Sequence, residues 1–548
     1  MGCSHAGAVA QTKRMKIIVS NTTTLVDGTV APFNQVHPGD TLFFQAGMRD
    51  YILIRNFQGA TGKTIVFMNL DSVVVISTDH NFGVSIQNCR FIRFTGSGSS
   101  ENFYGFMIRR VLAGTGIGAG NMSSDIEIDH IYLNNVPIAG IYAKTDPDCS
   151  FTNTRDKFTQ YNTVIHDNYI MRTGNEGLYI GSTKYTGQLV RCNGADTLLF
   201  PALLNGVKIY SNIINYSGWD GIQVSSASAN CQVFDNLVMY DSQGEVPSQM
   251  SGIILGGGSK CDCFNNYIAD GKGDGIESHG LGGYRIFNNI IVNAGKTYLP
   301  GDSSKMKHGI FVSDVSVQTD SSFYILFNDI INPKSDGIRF ASSISSHNLV
   351  ASNVVINPGN FDYYEHGNTG FKGKDAYIMI PNPGSDVEIA GNYLARTPDS
   401  AGFASQGYSL QPGSPLIDAA YMDTRGVNFD FYHHARPYGP GFDIGAFEYN
   451  PAYLGIPKKE LATRIVIPLF PNPVGCEFTI RYQNETRCDV TLYIYNLQGE
   501  KIFQRVRRQV PAGNQSVTEN VSGITDGIYL YTLHIGDRSF SGRMVKKN

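Results

Sequence analysis

The chain has 548 residues, a formal net charge of −4 and only 16% charged residues, and it contains 60 glycines. Its 30 Tyr and 31 Phe stand against a single Trp, a composition that favours strands and turns over helices. The length allows two or three domains. The weak net charge gives no basis for binding nucleic acid, and no apolar run reaches the ~18 residues that a membrane-spanning helix needs.

The first residues are predicted to precede the folded domain. Ala8-Val9-Ala10-Gln11 resembles the small-residue end of a secretory signal, with cleavage before Gln11, although no apolar segment comes before it. We interpret residues 1–19 as the remnant of a signal peptide and an N-terminal lead-in. An unstructured N-terminal tail is the alternative.

Residues 20–450 repeat a pattern of short strands and polar turns. The opening runs are Leu42–Gln45, Thr64–Met68, Val73–Ser77 and Arg90–Phe94. A regular unit of about 23 to 44 residues then extends from 123 to about 394, with an alternating strand, an Asn-type residue and Gly-Ile or Gly-Leu. The Asn-type positions are His130, Asn168, Asn212, Asn236, Asn266, Asn289, Asp329, Asn353 and Asn392. Strands of period two in such a repeat predict an all-β fold, a parallel β-helix, in which the Asn row is structural.

Nine cysteines do not form a disulfide framework in a chain of this length. Cys231 and Cys261 lie five residues before their repeat Asn and are expected to stack one coil apart. Together with Cys263 they are interpreted as thiols that pack in the core. Cys149 and Cys192 lie in long inserts and could pair with each other. No Cys or His spacing indicates a zinc site.

Residues 408–449, the closing segment, are rich in Gly, Pro and Asp. Ser414–Ala419 and Gly441–Glu448 resemble the end of many secreted bacterial β-helix proteins. We expect this segment to cover the last open coil, whose edge groups would otherwise be unpaired. Its charged residues are interpreted as structural pairs: Asp418, Asp423, Arg436 and Asp443.

A linker at 451–464 and a separate β domain at 465–548 follow. Alternation in Thr491–Tyr495 and Tyr529–Leu533 predicts a small β-sandwich. Phe470-Pro471-Asn472-Pro473, Tyr495-Asn496-Leu497-Gln498-Gly499 and a lysine-rich end resemble the type A sorting domain of the type IX secretion system. The resemblance implies contact with that secretion machinery and export across the outer membrane, to a secreted or cell-surface location. Without it, a carbohydrate-binding or anchoring module is equally compatible.

Equivalent residues of neighbouring coils are expected to form rows, because stacked strands are about 4.8 Å apart. The row before the repeat glycine is Ala139, Glu176, Asp220, Ser251, Asp274, His308 and Asp336. The first outward row is Tyr142, Tyr179, Gln223, Ile254, Glu277, Phe311 and Arg339. The next outward row is Lys144, Gly181, Ser225, Gly256, His279, Ser313 and Ala341. These rows predict a groove along the solenoid.

Two long inserts, 236–252 and 289–309, indicate a place in this groove. We expect them to form walls around a floor made by Asp274, Glu277 and His279, since a cleft with convergent titratable groups is the usual site. Further residues are expected to contribute to substrate binding or charge: Lys307, His308, Arg285, Arg339, Gln223, Tyr142, Tyr179 and Trp219. The aromatic members could stack on sugar rings, although Trp219 is equally compatible with a place in the core. Asp220 and Asp336 are interpreted as turn residues.

The pattern over 20–449 resembles the pectate-lyase-like superfamily of secreted right-handed parallel β-helix proteins. The resemblance implies a polysaccharide lyase or a glycoside hydrolase, with adhesins and tailspikes as a minority. Only fragments of the polygalacturonase motifs occur, Ser278-His279-Gly280 and Gly337-Ile338-Arg339, and no Asp-Asp pair accompanies them. Those catalytic roles are therefore not transferred.

Three hypotheses follow for this groove. In a lyase acting on uronic acids, His279 is the base. The substrate carboxylate is neutralised by Arg285, Lys307 or Arg339, or by a Ca²⁺ held by Asp274 and Glu277. In an inverting hydrolase, Asp274 and Asp336 act as a pair two coils apart. In a glycan-binding or adhesin protein, the rows only bind.

Overall fold

The computed structural model of the protein describes residues 16–99, 102–295, 306–359, 377–404, 408–451, 469–470, 474–484, 487–495, 501–536 and 538–546. The chain divides into two compact units, 1–449 and 450–548. Within these described ranges, no helix has both the length and the apolar character needed to cross a membrane. Residues 1–15, most of the predicted linker and the Pro471-Asn472-Pro473 motif lie outside the described residues.

The first unit is built from stacked coils whose strands form two parallel sheets. One sheet, here called the site sheet, receives one short strand per coil. Its twelve strands are Leu25–Asp27, Ile52–Arg55, Phe82–Gln87, Thr115–Gly120, Ile141–Ala143, Leu178–Ile180, Ile222–Val224, Ser251–Leu255, Asp274–Ser278, Ile310–Val312, Ile338–Phe340 and Ile378–Met379. Side chains alternate along each strand, so that Ile276 is buried while its neighbour Glu277 faces outward.

The other sheet, here called the large sheet, has 23 strands in two columns. The first column contains Lys16–Val19, Thr41–Arg49, Ile65–Thr78, Arg90–Thr95, Ser124–Asp129, Thr163–His166, Lys208–Tyr210, Cys231–Phe234, Cys261–Phe264, Tyr284–Phe287, Phe323–Leu326, Asn348–Ala351 and Val387–Ala390. The second column contains Phe106–Val111, Ile131–Val136, Tyr169–Thr173, Ile213–Ser217, Leu237–Met239, Tyr267–Ala269, Ile290–Val292, Asp329–Ile331, Val354–Ile356 and Tyr393–Ala395. The predicted all-β parallel β-helix is thus confirmed. Its interior is a continuous apolar core.

Smaller elements complete this unit. They are the 3-10 helices Phe33–Gln35 and Pro398–Ala401, a three-stranded sheet of Thr159–Tyr161, Leu203–Asn205 and Ala227–Ala229, and the hairpin Gln188–Cys192 with Ala195–Leu199. A disulfide joins Cys149 to Cys192, as the sequence suggested. Cys231 and Cys261 do stack one coil apart, but they form a disulfide, so their interpretation as free core thiols was wrong. Cys263 is a buried free thiol, as predicted.

The asparagine row forms a ladder between the two columns of the large sheet. Each amide Nδ2 donates to the Oδ1 of the next coil, for example from Asn266 to Asn289 at 2.9 Å. Two predicted members were wrong by one residue. Asn328, and not Asp329, continues the ladder, and the backbone N–H of Ile131 takes the place assigned to His130.

The closing segment lies along the outer face of the large sheet. His433 of this segment forms an ion pair with Asp235, and Tyr421 forms a hydrogen bond with Glu388, several coils further along. Phe264 and Phe287 are buried in the apolar cluster that includes Val427 of this segment. The expectation that it covers only the last coil is therefore too narrow, because it covers a flank of several coils.

The second unit consists of two small antiparallel sheets with their own apolar core. One contains Leu469–Phe470, Glu477–Asn484 and Gly513–Asn520. The other contains Lys501–Val510, Cys488–Tyr495, Gly527–Ile535 and Arg538–Lys546. Buried and partly exposed residues alternate from Val490 to Ile494, within one of the two strands from which a small β-sandwich was predicted.

Candidate functional site

The predicted rows are present on the site sheet, but every member of the row before the repeat glycine is buried, so the expectation that this row lines an open groove is wrong. Ser251 pairs with Asp274 in the row before the repeat glycine. Glu277 pairs with Phe311, which pairs with Arg339 in the first outward row. Side chains that are far apart in the sequence therefore lie one strand spacing from each other.

Glu277 and His279 form the centre of the candidate site. His279 Nε2 lies 2.6 Å from Glu277 Oε1, and Ser251 Oγ donates to Glu277 Oε2 at 2.6 Å. The two side chains keep 15% and 17% of their surface exposed, so both can be reached from solvent. Burial alone would raise the pKa of Glu277, but the hydrogen bonds from His279 and Ser251 and the charges of His279 and Lys307 together outweigh it, and the pKa is lowered.

The second ring nitrogen, His279 Nδ1, is hydrogen-bonded to Ser313 Oγ. An ionised Glu277 accepts a hydrogen bond from Nε2–H, so a neutral ring presents the Nδ1 lone pair to the hydroxyl of Ser313. The three residues form a relay from carboxylate to imidazole to hydroxyl. Ser313 belonged to a predicted row, but nothing in the sequence distinguished it from the other small residues of that row.

Asp274 lies beside this relay and is held by the end of the second insert. Lys307 Nζ donates to Asp274 Oδ2 at 2.9 Å and to the carbonyl oxygen of Met250 at 3.2 Å. The backbone N–H of His308 donates to Asp274 Oδ1 at 2.5 Å. Burial acts to lower the pKa of Lys307, but the charge of Asp274 and its hydrogen bond raise it, so the amine is a cation.

His308 occupies the row between Asp274 and Asp336. Its Nδ1 lies 3.1 Å from Asp336 Oδ2, and Arg339 Nη1 donates to the same oxygen at 3.1 Å. Asp336 is fully buried, whereas the Arg339 side chain keeps 18% of its surface exposed. Asp336 therefore orients two side chains and does not itself face solvent.

Three further carboxyls, those of Glu176, Asp220 and Asp241, are buried close enough for their charges to interact. Asp220 is fully buried, and neither of its carboxyl oxygens has a hydrogen-bond partner within the described part of the chain. Burial and the charge of Glu277 raise its pKa well above the usual range. Burial also raises the pKa values of Asp241 and Glu176 to about 6. Asp241 was not predicted, because it lies in an irregular insert whose path the repeat does not define.

An aromatic pair lies further along the site sheet. The rings of Tyr142 and Tyr179 meet edge to face at 5.6 Å. Lys144 Nζ lies 5.2 Å and 4.9 Å from their centroids and pairs with Asp146 at 2.8 Å. Both tyrosines remain partly exposed, as the outward row predicted.

Two inserts that follow the site-sheet strands, 144–158 and 181–203, form a wall that was not predicted. The disulfide between Cys149 and Cys192 joins them. Tyr185 extends from the second insert and packs against Gly258, where a Cβ would lie 2.0 Å from the ring. Of the two predicted walls, residues 240–250 are described, while residues 296–305 of the other lie outside the described residues.

Two predicted binding residues, Arg285 and Gln223, differ from expectation. Arg285 is on the large sheet, where it binds Asp262 and the carbonyl oxygen of Arg425, so the expectation that it lies near the site is wrong. Gln223 keeps its place in the row but is 4% exposed, too buried for an open binding surface. Trp219 is partly exposed next to Asp220, at the start of the site-sheet strand.

The predicted calcium ligands do not form an open ligand set. Asp274 is bonded to Lys307 and Glu277 to His279 and Ser251. Elsewhere, Glu127, Asp129 and His166 on the large sheet bring ligand atoms within 4.8 Å of one another and could hold a metal ion. Arg93 already binds both of these carboxylates, at 3.0 and 2.7 Å.

Residues 468–547 match the family described as Secretion system C-terminal sorting domain. This segment is a type IX secretion sorting domain. The chain is therefore exported across the outer membrane and is secreted or surface-attached, which confirms the predicted location. The match includes the two antiparallel sheets of the second unit.

No curated protein sequence matches the chain significantly. Among solved structures, XylC in complex with xylose is 10% identical, with a TM-score of 0.40 over 80% of this chain and 98% of that one. An alginate lyase from Paenibacillus is 12% identical, with a TM-score of 0.30 over 69% and 99%. A tailspike protein from an Escherichia coli bacteriophage is 10% identical, with a TM-score of 0.36 over 92% and 64%. At these identities the likeness concerns the fold alone.

Proposed function

We propose that the sorting domain exports a polysaccharide lyase that cleaves uronic-acid-containing polysaccharides by β-elimination, with His279 as the base. The observation that supports this proposal most is the relay of Glu277, His279 and Ser313 on an accessible strip of the site sheet. A histidine whose ring is oriented by a carboxylate is suited to proton transfer near neutral pH.

The proton balance of the reaction fits this relay. The C5–H bond of the uronic acid breaks, and Ser313 Oγ takes this proton while it passes its own hydroxyl proton to His279 Nδ1. The electron pair forms the C4–C5 double bond as the C4–O bond breaks, and the imidazolium returns the proton to the leaving oxygen. Glu277 stabilises the imidazolium between these two steps.

Neutralising the substrate carboxylate is assigned to Arg339 and Lys307. Both cations border the floor, and each is held by one buried carboxylate, Asp336 and Asp274. Such pairing fixes their positions before substrate arrives. No step is assigned to Ca²⁺, because Asp274 and Glu277 already bind protein groups.

The alternatives receive less support. An inverting hydrolase would need the carboxylates of Asp274 and Asp336 to be open to water. Asp336 is instead fully buried against the ring of His308, and Asp274 accepts a hydrogen bond from the backbone N–H of His308. The partly exposed pair of Tyr142 and Tyr179 favours glycan binding along the same sheet, so a purely binding protein is the second candidate.

His279→Ala should abolish the formation of unsaturated uronate ends, a loss of at least ~10³-fold that ultraviolet absorbance measures on a panel of acidic polysaccharides. The matched control is His347→Ala, because that histidine is 86% exposed and lies away from the relay. New reducing ends without absorbance would indicate hydrolysis, and retention of an uncleaved glycan by the wild type would indicate binding alone. Either result contradicts the lyase proposal.

A further inference from the structure

A groove of about 580 Å³ lies on the large sheet, away from the strip that carries Glu277 and His279. Its lining comes from four successive coils, represented by Lys208, Gln232, Lys260 and Gly283. Three steps of about 4.8 Å give it a length of roughly 14 Å along the solenoid. This length and volume suit a short oligosaccharide segment.

The groove has an excess of positive charge. Lys208 and Lys260 are exposed, and neither forms an ion pair with any carboxylate in the part of the chain that the structure describes. The carboxylate of the lining, Asp262, is already bound by Arg285 through Nη2 at 2.5 Å and Nε at 3.2 Å. Two cations therefore remain available to an anionic ligand, with Asn230 and Gln232 as hydrogen-bonding groups.

The floor of this groove is fixed. Cys231 lines the groove, and a disulfide joins it to the buried Cys261 of the adjacent coil. Gly283 has a φ of +74°, and a Cβ there would lie 2.9 Å from Lys260 Nζ, so the glycine leaves room for the lysine to lie across it. A rigid floor lowers the entropy lost on binding.

We infer that this groove is a second glycan-binding site, which holds carboxylate-bearing segments of an acidic polysaccharide. The lysines contact the carboxylates, while Asn230 and Gln232 bind sugar hydroxyls. The site differs in sheet and in residues from the proposed lyase centre. It would keep the exported chain on a polymeric substrate without taking part in cleavage.

Binding can be measured separately from cleavage in the full chain that carries His279→Ala. In affinity electrophoresis with alginate or polygalacturonate, adding Lys208→Ala and Lys260→Ala should weaken retention about tenfold and reduce its dependence on salt. The control pair Lys16→Ala and Lys63→Ala removes the same charge from exposed positions elsewhere and should change retention less than twofold. Carboxyl-reduced polymer should not be retained.

Equal weakening by both pairs, or retention of the reduced polymer at the same strength, would overturn the inference. Competition by single-stranded DNA at the same affinity as polyuronate would also overturn it, since any polyanion would then suffice. In the chain with native His279, the Lys208 and Lys260 variant should cleave short oligosaccharides at the wild-type rate. If the chain cleaves no polysaccharide, the proposed lyase function fails, but the retention experiment still tests the second binding site, because it does not measure cleavage.

Discussion

At the residue level, His279 is defined by its two hydrogen bonds rather than by its position alone. Glu277 fixes Nε2, and Ser313 occupies Nδ1. Alternation along the strand predicted that Glu277 and His279 would face outward on one surface, and they do. The bond to Ser313 depends on the registration between coils and on a rotamer, neither of which a single sequence specifies.

The relay predicts a specific effect of Ser313→Ala. Removing Oγ takes away the hydroxyl next to Nδ1, so kcat for β-elimination should fall ~10- to 100-fold while KM changes less than twofold. The acidic limb of the pH–rate profile should also move, since the ring loses a hydrogen-bond partner. Steady-state kinetics across a pH series measures both effects.

Ser316→Ala provides the matched comparison. Ser316 Oγ donates to the carbonyl oxygen of His279 at 2.5 Å and does not contact its ring. Its loss should lower stability slightly and leave the shape of the pH profile unchanged. Wild-type kinetics and pH profile in Ser313→Ala would remove Ser313 from the mechanism.

At the level of elements, the position of the closing segment could not be predicted from the sequence. Its Gly, Pro and Asp content indicated a non-repeating segment that covers the coils, but the repeat pattern does not indicate which flank of the coils this segment binds. The flank is defined by a run of outward aromatic side chains, in which Phe264 and Phe287 stack at 4.8 Å. Arg285 was misplaced for a similar reason, because its distance in sequence from Glu277 does not reveal which face of the coil it occupies.

Phe429 anchors the closing segment to that flank. Its ring lies 5.7 Å from those of Phe264 and Phe287 and stacks on His433 at 5.4 Å. Phe429→Ala should cost about 2 kcal/mol, since the ring is only partly buried. We expect faster hydrogen exchange and proteolysis within 408–449 while amides of the coils stay protected.

Tyr438→Ala is the appropriate control, because this ring of the same segment is 50% exposed. It should leave exchange and cleavage of the segment near the wild-type rates. If Phe429→Ala instead speeds exchange throughout the coils, the closing segment is an integral part of the solenoid rather than a cover docked on it.

For the whole molecule, the spacing of asparagines was enough to predict stacked coils, because the same turn must recur in each coil for the ladder to form. The two errors of register, at Asp329 and His130, come from polar residues next to the true position. In the coil of Asp329, only the alternation in the preceding strand, Phe323–Leu326, places Asn328 in the ladder. The sequence therefore predicted the coils, while the packing of inserts and the closing segment required the structure.

The ladder also predicts how stability is distributed along the solenoid. Asn266 is fully buried; its amide donates to the carbonyl oxygen of Val233 and to Asn289, and its Oδ1 accepts from Asn236. Asn266→Ala leaves these groups without partners and should lower the free energy of unfolding by ~2–4 kcal/mol.

Asn392 tests the same chemistry at the end of the described ladder. Its amide donates to Val350 and accepts from Asn353, but it is only partly buried, so water can replace what is lost. Asn392→Ala should therefore cost ~1 kcal/mol or less, and Asn34→Ala, at an exposed position outside the ladder, should cost almost nothing. Chemical denaturation of the three variants measures the order. We expect this difference because each coil of a solenoid depends mainly on its neighbours, and a central coil has one on either side. Equal losses of stability in Asn266→Ala and Asn392→Ala would mean that burial within the stack does not determine the strength of the ladder.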